Sequence, residues 1–211
     1  MNRRLNTVAK TMKDHGIKSC VHKKFRVTPT DSNPPHPVFD NRLDRDFTAT
    51  GMNRKWVADI THIHTHEGFL YLAGVVDLFS RKIVGWAMKD TLHADLCAPA
   101  LERALVNRRP KHPVLHHSDR GCQYAGQQYQ DKLTEFGLEC GMSRVGNRRD
   151  NAGVESLWAS LKNERVFQRT FATKQEAKDS IFEWIVVWYH RKRRHSSLGS
   201  LSPETFEAKQ N

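Results

Sequence analysis

Three apolar runs joined by short connections constrain the fold of this chain more than any other feature. They cover about residues 55–63, 69–78 and 82–88. Aromatic and β-branched residues in runs of this length, separated by a few turn-forming residues, are typical of antiparallel strands. Because the runs are apolar at nearly every position, we expect a sheet that is covered on both faces.

The second half of the chain alternates helical and strand patterns. We expect, in order, a helix, a strand, a helix and a short strand, at about 95–108, 113–118, 123–136 and 138–142. A further helix follows the loop 143–150 and contains Glu155. This order predicts an α/β fold with one mixed sheet flanked by helices.

The last predicted helix has a defined start and a strong apolar stripe. Thr173 and Glu176 form a capping box at its beginning. The stripe has the spacing of a core-facing helix and consists of Ala177, Ile181, Trp184, Ile185, Trp188 and Tyr189. A short helix is also expected at residues 1–16, followed by a basic, proline-containing linker or arm at 18–53.

Three carboxylates lie on regular elements of a strongly basic chain. Asp59 lies in a strand run, Asp119 ends another, and Glu155 lies on a helix. Two carboxylates about 4 Å apart repel by roughly 4 kcal/mol at an effective dielectric near 20. They can stay ionised together if a divalent cation lies between them. Oxygen ligands of this kind suit magnesium or manganese. The alternative, left open by the spacing alone, is that they are ordinary strand-end and surface acids.

The helix around Glu155 carries two further polar residues on the same edge. At about 100° per residue, Asn151 and Lys162 fall close to Glu155, beside a buried stripe formed by Val154, Leu157 and Leu161. One interpretation is that Glu155 points at a metal and Lys162 grips a phosphate or a base. The other is that both are solvated charges on a helix surface.

The charge balance favours an anionic partner. The 211 residues include 34 Lys plus Arg against 23 Asp plus Glu, a formal net charge of +11. Nucleic acid is the commonest partner of such a chain. A membrane partner is not expected, because the sequence has no apolar run of membrane-spanning length and no signal peptide. We expect a cytoplasmic protein.

Two other sets of residues raise the question of a zinc site. The cysteines Cys20, Cys97, Cys122 and Cys140 form no Cys-x-x-Cys pair, which argues against a zinc ribbon and predicts free, mostly buried thiols. His62, His64 and His66 alternate along a strand and its end. They are interpreted either as a zinc site or as an exposed strand face, and the lack of supporting ligands favours the second.

Several blocks in a fixed order resemble the catalytic core of retroviral-integrase-like transposases. The blocks are residues 56–61 with 71–81, 117–124, 146–155 with 161–164, and 189–199 with 201–204. Thirty-five residues lie between Asp119 and Glu155, which is the spacing of that family. The chain is similar, over about 3–206, to the second-frame proteins of two-frame bacterial insertion sequences of insertion-sequence family three.

The resemblance implies a ribonuclease-H-like fold and metal-dependent cleavage and strand transfer of DNA ends. It implies that Asp59, Asp119 and Glu155 are catalytic and that together they bind two metal ions, either Mg²⁺ or Mn²⁺. It implies DNA-end contact by Lys162, and it demotes Asp77 and Asp150, the rival third carboxylates, to supporting roles. Further contacts with DNA are expected from Asn151, Arg120, Arg144, Arg148, Arg149, Arg191, Arg193 and Arg194.

The resemblance also implies association with the bacterial nucleoid, a set of partners and a division of the chain. Residues 1–17 are expected to be the remnant of a helical DNA-binding region, 18–53 the arm, 54–168 the catalytic core, and 169–211 a C-terminal helix and basic tail. Expected partners are the terminal repeats of the element, target DNA, further copies of the chain in the active complex, and a first-frame DNA-binding protein or fusion. The alternatives are a non-catalytic regulator that binds element ends, and a metal-dependent nuclease of the same fold.

Overall fold

The computed structural model of the protein describes residues 2–17, 39–144 and 148–210. The side chains of residues 2–6, Ala94, Arg148 and Arg149 are not described. Most of the expected arm, with Cys20, and the loop residues 145–147 lie outside the described residues. Helix α1, Asn2–Asp14, confirms the first predicted helix, and Gly16 beyond it has the positive φ of 66° that ends many helices.

A five-stranded mixed sheet forms the centre of the molecule. Its strands are β1 Lys55–Thr65, β2 Gly68–Asp77, β3 Ile83–Lys89, β4 Leu115–Ser118 and β5 Glu139–Met142. They lie in the order β3-β2-β1-β4-β5. The first three are antiparallel neighbours, whereas β4 pairs parallel to β1 and β5 pairs parallel to β4. Both the antiparallel meander and the mixed sheet are confirmed.

Helices cover both faces of this sheet, as the continuous apolar runs predicted. One face packs against α2, Cys97–Arg108, α3, Cys122–Ala125, and α4, Gln127–Glu135. The other packs against α5, Ala152–Glu164, and α6, Lys174–Glu183. Alternate residues of β1 enter the two cores, so that Trp56 and Ala58 lie on the α2 side and Val57 on the α5 side.

Of the element boundaries that differ from the predicted ones, two have identifiable local reasons. The helix expected near 123–136 is split into α3 and α4, because Gly126 between them has an extended backbone, with φ −63° and ψ 142°. Strand β4 begins at Leu115 rather than at residue 113. Proline has no N–H to give to the ladder, so Pro113 is a poor strand residue.

Helix α6, the last of the predicted helices, begins as predicted, but it does not continue as an α-helix to the end of the predicted stripe. The Thr173 hydroxyl accepts a hydrogen bond from the Glu176 N–H, and the Glu176 carboxylate accepts one from the Ala172 N–H, which confirms the capping box. After α6 the chain continues as a π-helix, Trp184–Tyr189, which the sequence pattern did not predict. The change of period turns Trp188 outward, to 45% exposure, so its assignment to the buried stripe was wrong.

The last helix, α7, Pro203–Ala208, is tied to the rest of the fold by a buried carboxylate. Glu207 pairs with Lys82 at 2.9 Å, next to β3, and with Arg108 at the end of α2. These two ion pairs therefore connect α7 both to the sheet, at β3, and to helix α2. None of the helices within the described residues has the length and apolar content needed to cross a lipid bilayer.

Candidate active site

The parallel pairing of β1 and β4 brings Asp59 and Asp119 together. Val57 is paired with His117, and two residues further along each chain come the two aspartates. The Ile60 N–H donates to Asp59 Oδ1 at 2.8 Å, and the Gly121 N–H donates to Asp119 Oδ1 at 2.9 Å. One oxygen of each carboxyl is thereby oriented by the backbone, and the second remains for another ligand.

The two carboxyl groups are electrostatically strained. Burial raises the pKa of Asp59, and the charges of Asp119 and Glu155 raise it further. Burial also raises the pKa of Asp119. The Trp158 indole lowers the pKa of Asp59, although its Nε1 does not reach ordinary hydrogen-bond geometry. The pair is therefore costly to ionise, and a divalent cation would offset that cost.

Glu155 lies near this pair on the first turns of α5. Its side chain is exposed, and its charge acts on Asp59. Among the described residues, however, no three His, Cys, Asp or Glu side chains are close enough together to hold one metal ion. The structure thus brings Asp59 and Asp119 together and places Glu155 beside them without completing a three-ligand cluster. The all-oxygen donor set still fits magnesium or manganese.

A contact between a glycine and a tryptophan sets the position of α5 over the site. Gly74 in β2 is paired with Asp59. A Cβ atom on Gly74 would lie 2.6 Å from Cη2 of Trp158. The missing side chain therefore lets the indole lie across the strand, which holds α5 close to Asp59.

Lys162 and Asn151 lie on the same side of α5 as expected. Lys162 is half-buried, and burial lowers its pKa, whereas the charge of Asp59 raises it. Asn151 is 5% exposed and donates from Nδ2 to the carbonyl of Ala58 at 3.3 Å, next to Asp59. Its Oδ1 is buried without a partner among the described residues. Both residues therefore border the aspartate pair.

Asp150 and Asp77, the rival carboxylates, have structural partners. Asp150 is fully buried and pairs with Arg45 and Arg144, each at 3.0 Å. The Arg144 side chain and backbone N–H lower the pKa of Asp150 strongly. Asp77 accepts hydrogen bonds from the N–H groups of Asn53, at 2.7 Å, and Phe79, at 2.9 Å. Nothing in the sequence pattern signalled the Arg45–Asp150 pair, whose members are 105 residues apart.

The arginines expected to contact DNA differ in how strongly the protein already holds them. Arg144 pairs with Asp150 and Asp44, and Arg120 donates to the carbonyl of Ser143 at 2.6 Å. Arg193 pairs with Glu164 at 2.7 Å. Arg191 is exposed and pairs with Glu204 at 3.3 Å, and Arg194 is exposed. The side chains of Arg148 and Arg149 lie outside the described residues. The DNA contacts of all of these arginines stay predictions.

The histidines and cysteines that raised the question of zinc are accounted for differently. His62, His64 and His66 are exposed, and the first two pack edge-on against Phe69. This favours the exposed strand face. Of the described cysteines, which are all free, Cys97 is buried, Cys140 is intermediate and Cys122 is exposed. The expectation of mostly buried thiols therefore fails at Cys122.

Comparisons with known proteins point to one family. Two models of the integrase core domain match residues 49–148 and 136–203. The chain is 42% identical to the insertion element IS600 uncharacterized 31 kDa protein of Shigella sonnei, over 96% of this chain and 74% of that protein. It is 41% identical to the transposase InsF for insertion sequence IS3A of Escherichia coli (strain K12), over 97% of this chain and 71% of that protein.

Solved structures show the same fold at low sequence identity. The simian T-cell lymphotropic virus intasome in complex with PP2A regulatory subunit B56 gamma matches with a TM-score of 0.62 and 17% identity, over 83% of this chain and 60% of that chain. The HTLV-2 integrase catalytic core domain in complex with magnesium matches with a TM-score of 0.57 and 14% identity, over 75% and 99%. These matches confirm the ribonuclease-H-like fold. On the family models and the identities, the chain belongs to the family of insertion-sequence transposases, polynucleotidyl transferases built on an integrase core domain.

Proposed function

We propose that Asp59, Asp119 and Glu155 are the catalytic residues of this transposase and bind two divalent metal ions, Mg²⁺ or Mn²⁺. The reaction is cleavage of DNA at the ends of an insertion sequence, followed by strand transfer of the 3′-hydroxyl. The observation that carries the proposal is the pair of adjacent carboxyls whose pKa values are raised by burial. Such a pair is costly to ionise alone, and hard divalent cations are its natural partners.

Each residue has a distinct task in this scheme. When bound, the metal ions supply an activated hydroxyl group and stabilise the leaving oxygen of an in-line displacement at phosphorus. Asp59 and Asp119 are oriented by backbone N–H groups and form the fixed part of the site. Glu155 is exposed on α5, its charge acts on Asp59, and it supplies the third carboxylate ligand. No Ser, Cys or Tyr nucleophile is needed, because water or a DNA hydroxyl attacks directly.

DNA contacts follow from the charge and the position of the neighbouring residues. Lys162 and Asn151 border the aspartate pair and contact the DNA end. Arg120, Arg144, Arg148 and Arg149 contact DNA around the start of α5, and Arg191, Arg193 and Arg194 do so near the C-terminus. Pairing two ends of an element requires at least two copies of the chain. A first-frame DNA-binding protein, separate or fused, supplies recognition of the ends.

The test is a cleavage and strand-transfer assay on a labelled duplex that carries the terminal repeat of the parent element. Reactions contain Mg²⁺, Mn²⁺ or EDTA, with and without the partner frame. Glu155→Gln removes the charge of the third ligand. Glu135→Gln, on the exposed face of α4, is the matched control. We expect metal-dependent cleaved and joined products from wild type and Glu135→Gln, and at least a hundredfold loss in Glu155→Gln.

Three results would contradict the proposal. Equal activity of Glu155→Gln and wild type would remove Glu155 from the site. Cleavage without joining would indicate a nuclease of the same fold. Binding of the repeat without products in either metal, with the partner frame present, would leave a regulator that binds element ends.

A further inference from the structure

A polar cavity lies on the other side of α5 from the candidate metal site. Its volume is about 210 Å³, below the range of about 300–1,000 Å³ typical of pockets for whole small molecules. Ser156 and Ser160 of α5 line it, together with Arg81, Arg193 and His195 from elsewhere in the chain. At about 100° per residue, these serines point roughly 100–140° away from Glu155, so the cavity is separate from the aspartate pair.

Arg81 is the least satisfied of the groups that line this cavity. It lies in the turn between β2 and β3 with φ at +59°, a conformation that residues other than glycine rarely adopt. Its guanidinium has no ion pair or hydrogen bond within the described part of the chain. Tyr189 donates to its carbonyl at 2.7 Å, which fixes the turn beside the cavity. A strained turn that carries an unpaired charge into a cavity indicates a use for that charge.

The charged groups that line the cavity give it a net positive charge. Arg193 donates from Nε to Glu164 at 2.7 Å and from Nη2 to Ser160 at 3.0 Å. Glu164 also accepts from Trp188, at 3.0 Å, so its carboxylate already has two donors. Two guanidinium groups against one carboxylate leave a net positive charge. Burial, and then the charges of Arg193 and Arg81, lower the pKa of His195 to about 4.

We propose that this cavity, between Arg81, Arg193 and the serines of α5, binds one phosphate group of a DNA backbone. The cavity volume suits a single anionic group rather than a nucleotide, and a guanidinium is the side chain best matched to phosphate geometry. Gly153 lines the same cavity next to this guanidinium, since a Cβ on it would lie 3.8 Å from Arg81 Nη1, in ordinary van der Waals contact. The statement that the bound phosphate belongs to DNA rests on the proposed function, whereas the statement that the cavity binds a phosphate group does not.

The first experiment follows the His195 ring by NMR in the full chain while inorganic phosphate is added. His195→Gln assigns the signal. Arg81→Gly removes the charge while suiting the positive φ, so the turn is retained. Arg109→Gly is the matched control, because Arg109 also has a positive φ, 42°, but lies at the end of α2 on the opposite face of the sheet. In wild type and Arg109→Gly, the pKa of His195 is expected to be higher with phosphate than without it. In Arg81→Gly, the pKa of His195 is expected to be the same with and without phosphate.

The second experiment measures the salt dependence of duplex DNA binding by the same proteins. Loss of one phosphate contact lowers the slope of log K against log salt by about 0.9. We expect this change in Arg81→Gly and none in Arg109→Gly. No response of His195 to phosphate in wild type, or equal slope changes in both variants, would overturn the proposal. A His195 response that needs Arg81, with unchanged slopes, would reject DNA as the source of the phosphate group and leave free inorganic phosphate as the ligand.

Cleavage assays on the same preparations separate this proposal from the proposed function. A wild-type protein that shows the phosphate response but never cleaves DNA would retain the cavity and lose the catalytic proposal. One that cleaves DNA but shows no phosphate response would retain the catalytic residues and lose the cavity.

Discussion

Burial has opposite consequences for different carboxyl groups of this chain, depending on what lies beside each of them. Asp150 is fully buried but meets Arg45 and Arg144, so its ionised form is favoured. Asp59 is buried against Asp119, so its ionised form is disfavoured. The same replacement by the neutral amide should therefore change stability in opposite directions at the two positions.

Asp59→Asn is expected to stabilise the metal-free protein. A carboxyl whose pKa is raised on folding contributes stability at low pH, which is lost as the pH rises through the folded value. At pH 7.5 the variant should gain about 1–2 kcal/mol, since one pKa unit corresponds to about 1.4 kcal/mol. Urea unfolding in EDTA measures the gain, and added Mg²⁺ should stabilise wild type more than the variant. Equal stabilisation of both by Mg²⁺ would contradict a metal ligand at Asp59.

Asp150→Asn is expected to destabilise the protein by about 3 kcal/mol at pH 7. This is the low end of the range for breaking a buried ion pair, because the two arginines remain half exposed and can be rehydrated. The pKa of Asp150 is lowered on folding, so its contribution is present above the unfolded value of about 3.9 and is lost as the pH falls below it. Unfolding curves of wild type and Asp150→Asn at pH 7 and pH 3 measure the loss of stability at pH 7 and its decrease at low pH. An unchanged midpoint at pH 7 would remove Asp150 from its structural role.

At the scale of elements, two glycines determine how closely helices approach the sheet. Gly74 leaves room for Trp158 of α5, and Gly85 in β3 leaves room for α2. A Cβ on Gly85 would lie 2.1 Å from the carbonyl oxygen of Ala100 and 2.6 Å from the backbone nitrogen of Ala104. Because those neighbours are backbone atoms of a helix, α2 as a whole would have to move.

Gly85→Ala is therefore expected to cost at least about 3 kcal/mol, the upper end of ordinary overpacking. Gly51→Ala is the matched control, since its Cβ would meet nothing within 4 Å and its φ is not positive. That control should leave stability within about 0.5 kcal/mol of wild type. Thermal unfolding of the two variants gives the comparison. Similar midpoints for both would show that α2 does not pack as closely on β3 as the structure has it.

The sequence predicts elements well where the periodicity is unambiguous, and less well where a single residue or a tertiary contact decides. The β1–β3 meander and the capping box at Thr173 are local and were predicted. The break at Gly126 and the π-helix Trp184–Tyr189 were not. A π-turn shifts the buried face by one residue, and period alone does not indicate where that shift occurs.

At the scale of the whole molecule, the candidate site depends on which strands become neighbours. Asp59 and Asp119 meet because β4 inserts parallel to β1, although the two strands are far apart in the chain. Spacing and composition left that pairing open, and the family resemblance supplied it. The partners of Asp150 and the environment of Arg81 depend on the same long-range packing, and the resemblance did not indicate them.

Buried neutral histidines make the folding stability of the whole molecule depend on pH. Burial lowers the pKa of His116 and of His190 to about 3 each, and that of His195 to about 4. The unfolded chain has histidine pKa values near 6.5, so it takes up protons below that pH that the folded chain does not. Unfolding is thereby favoured as the pH falls below about 6.5, while the raised pKa values of Asp59 and Asp119 oppose the trend.

His190→Gln isolates one of these contributions, because comparison with wild type cancels the carboxyl groups. His190 Nε2 accepts a hydrogen bond from the Ile83 N–H at 3.2 Å, and the glutamine amide oxygen can replace that acceptor. Below pH 6.5 the stability of the variant should fall less steeply, by up to about 1.4 kcal/mol per pH unit. Urea unfolding between pH 7.5 and 5 measures the two slopes, with His112→Gln, an exposed imidazole, as the control. Parallel curves for wild type and His190→Gln would mean that folding does not lower the pKa of His190.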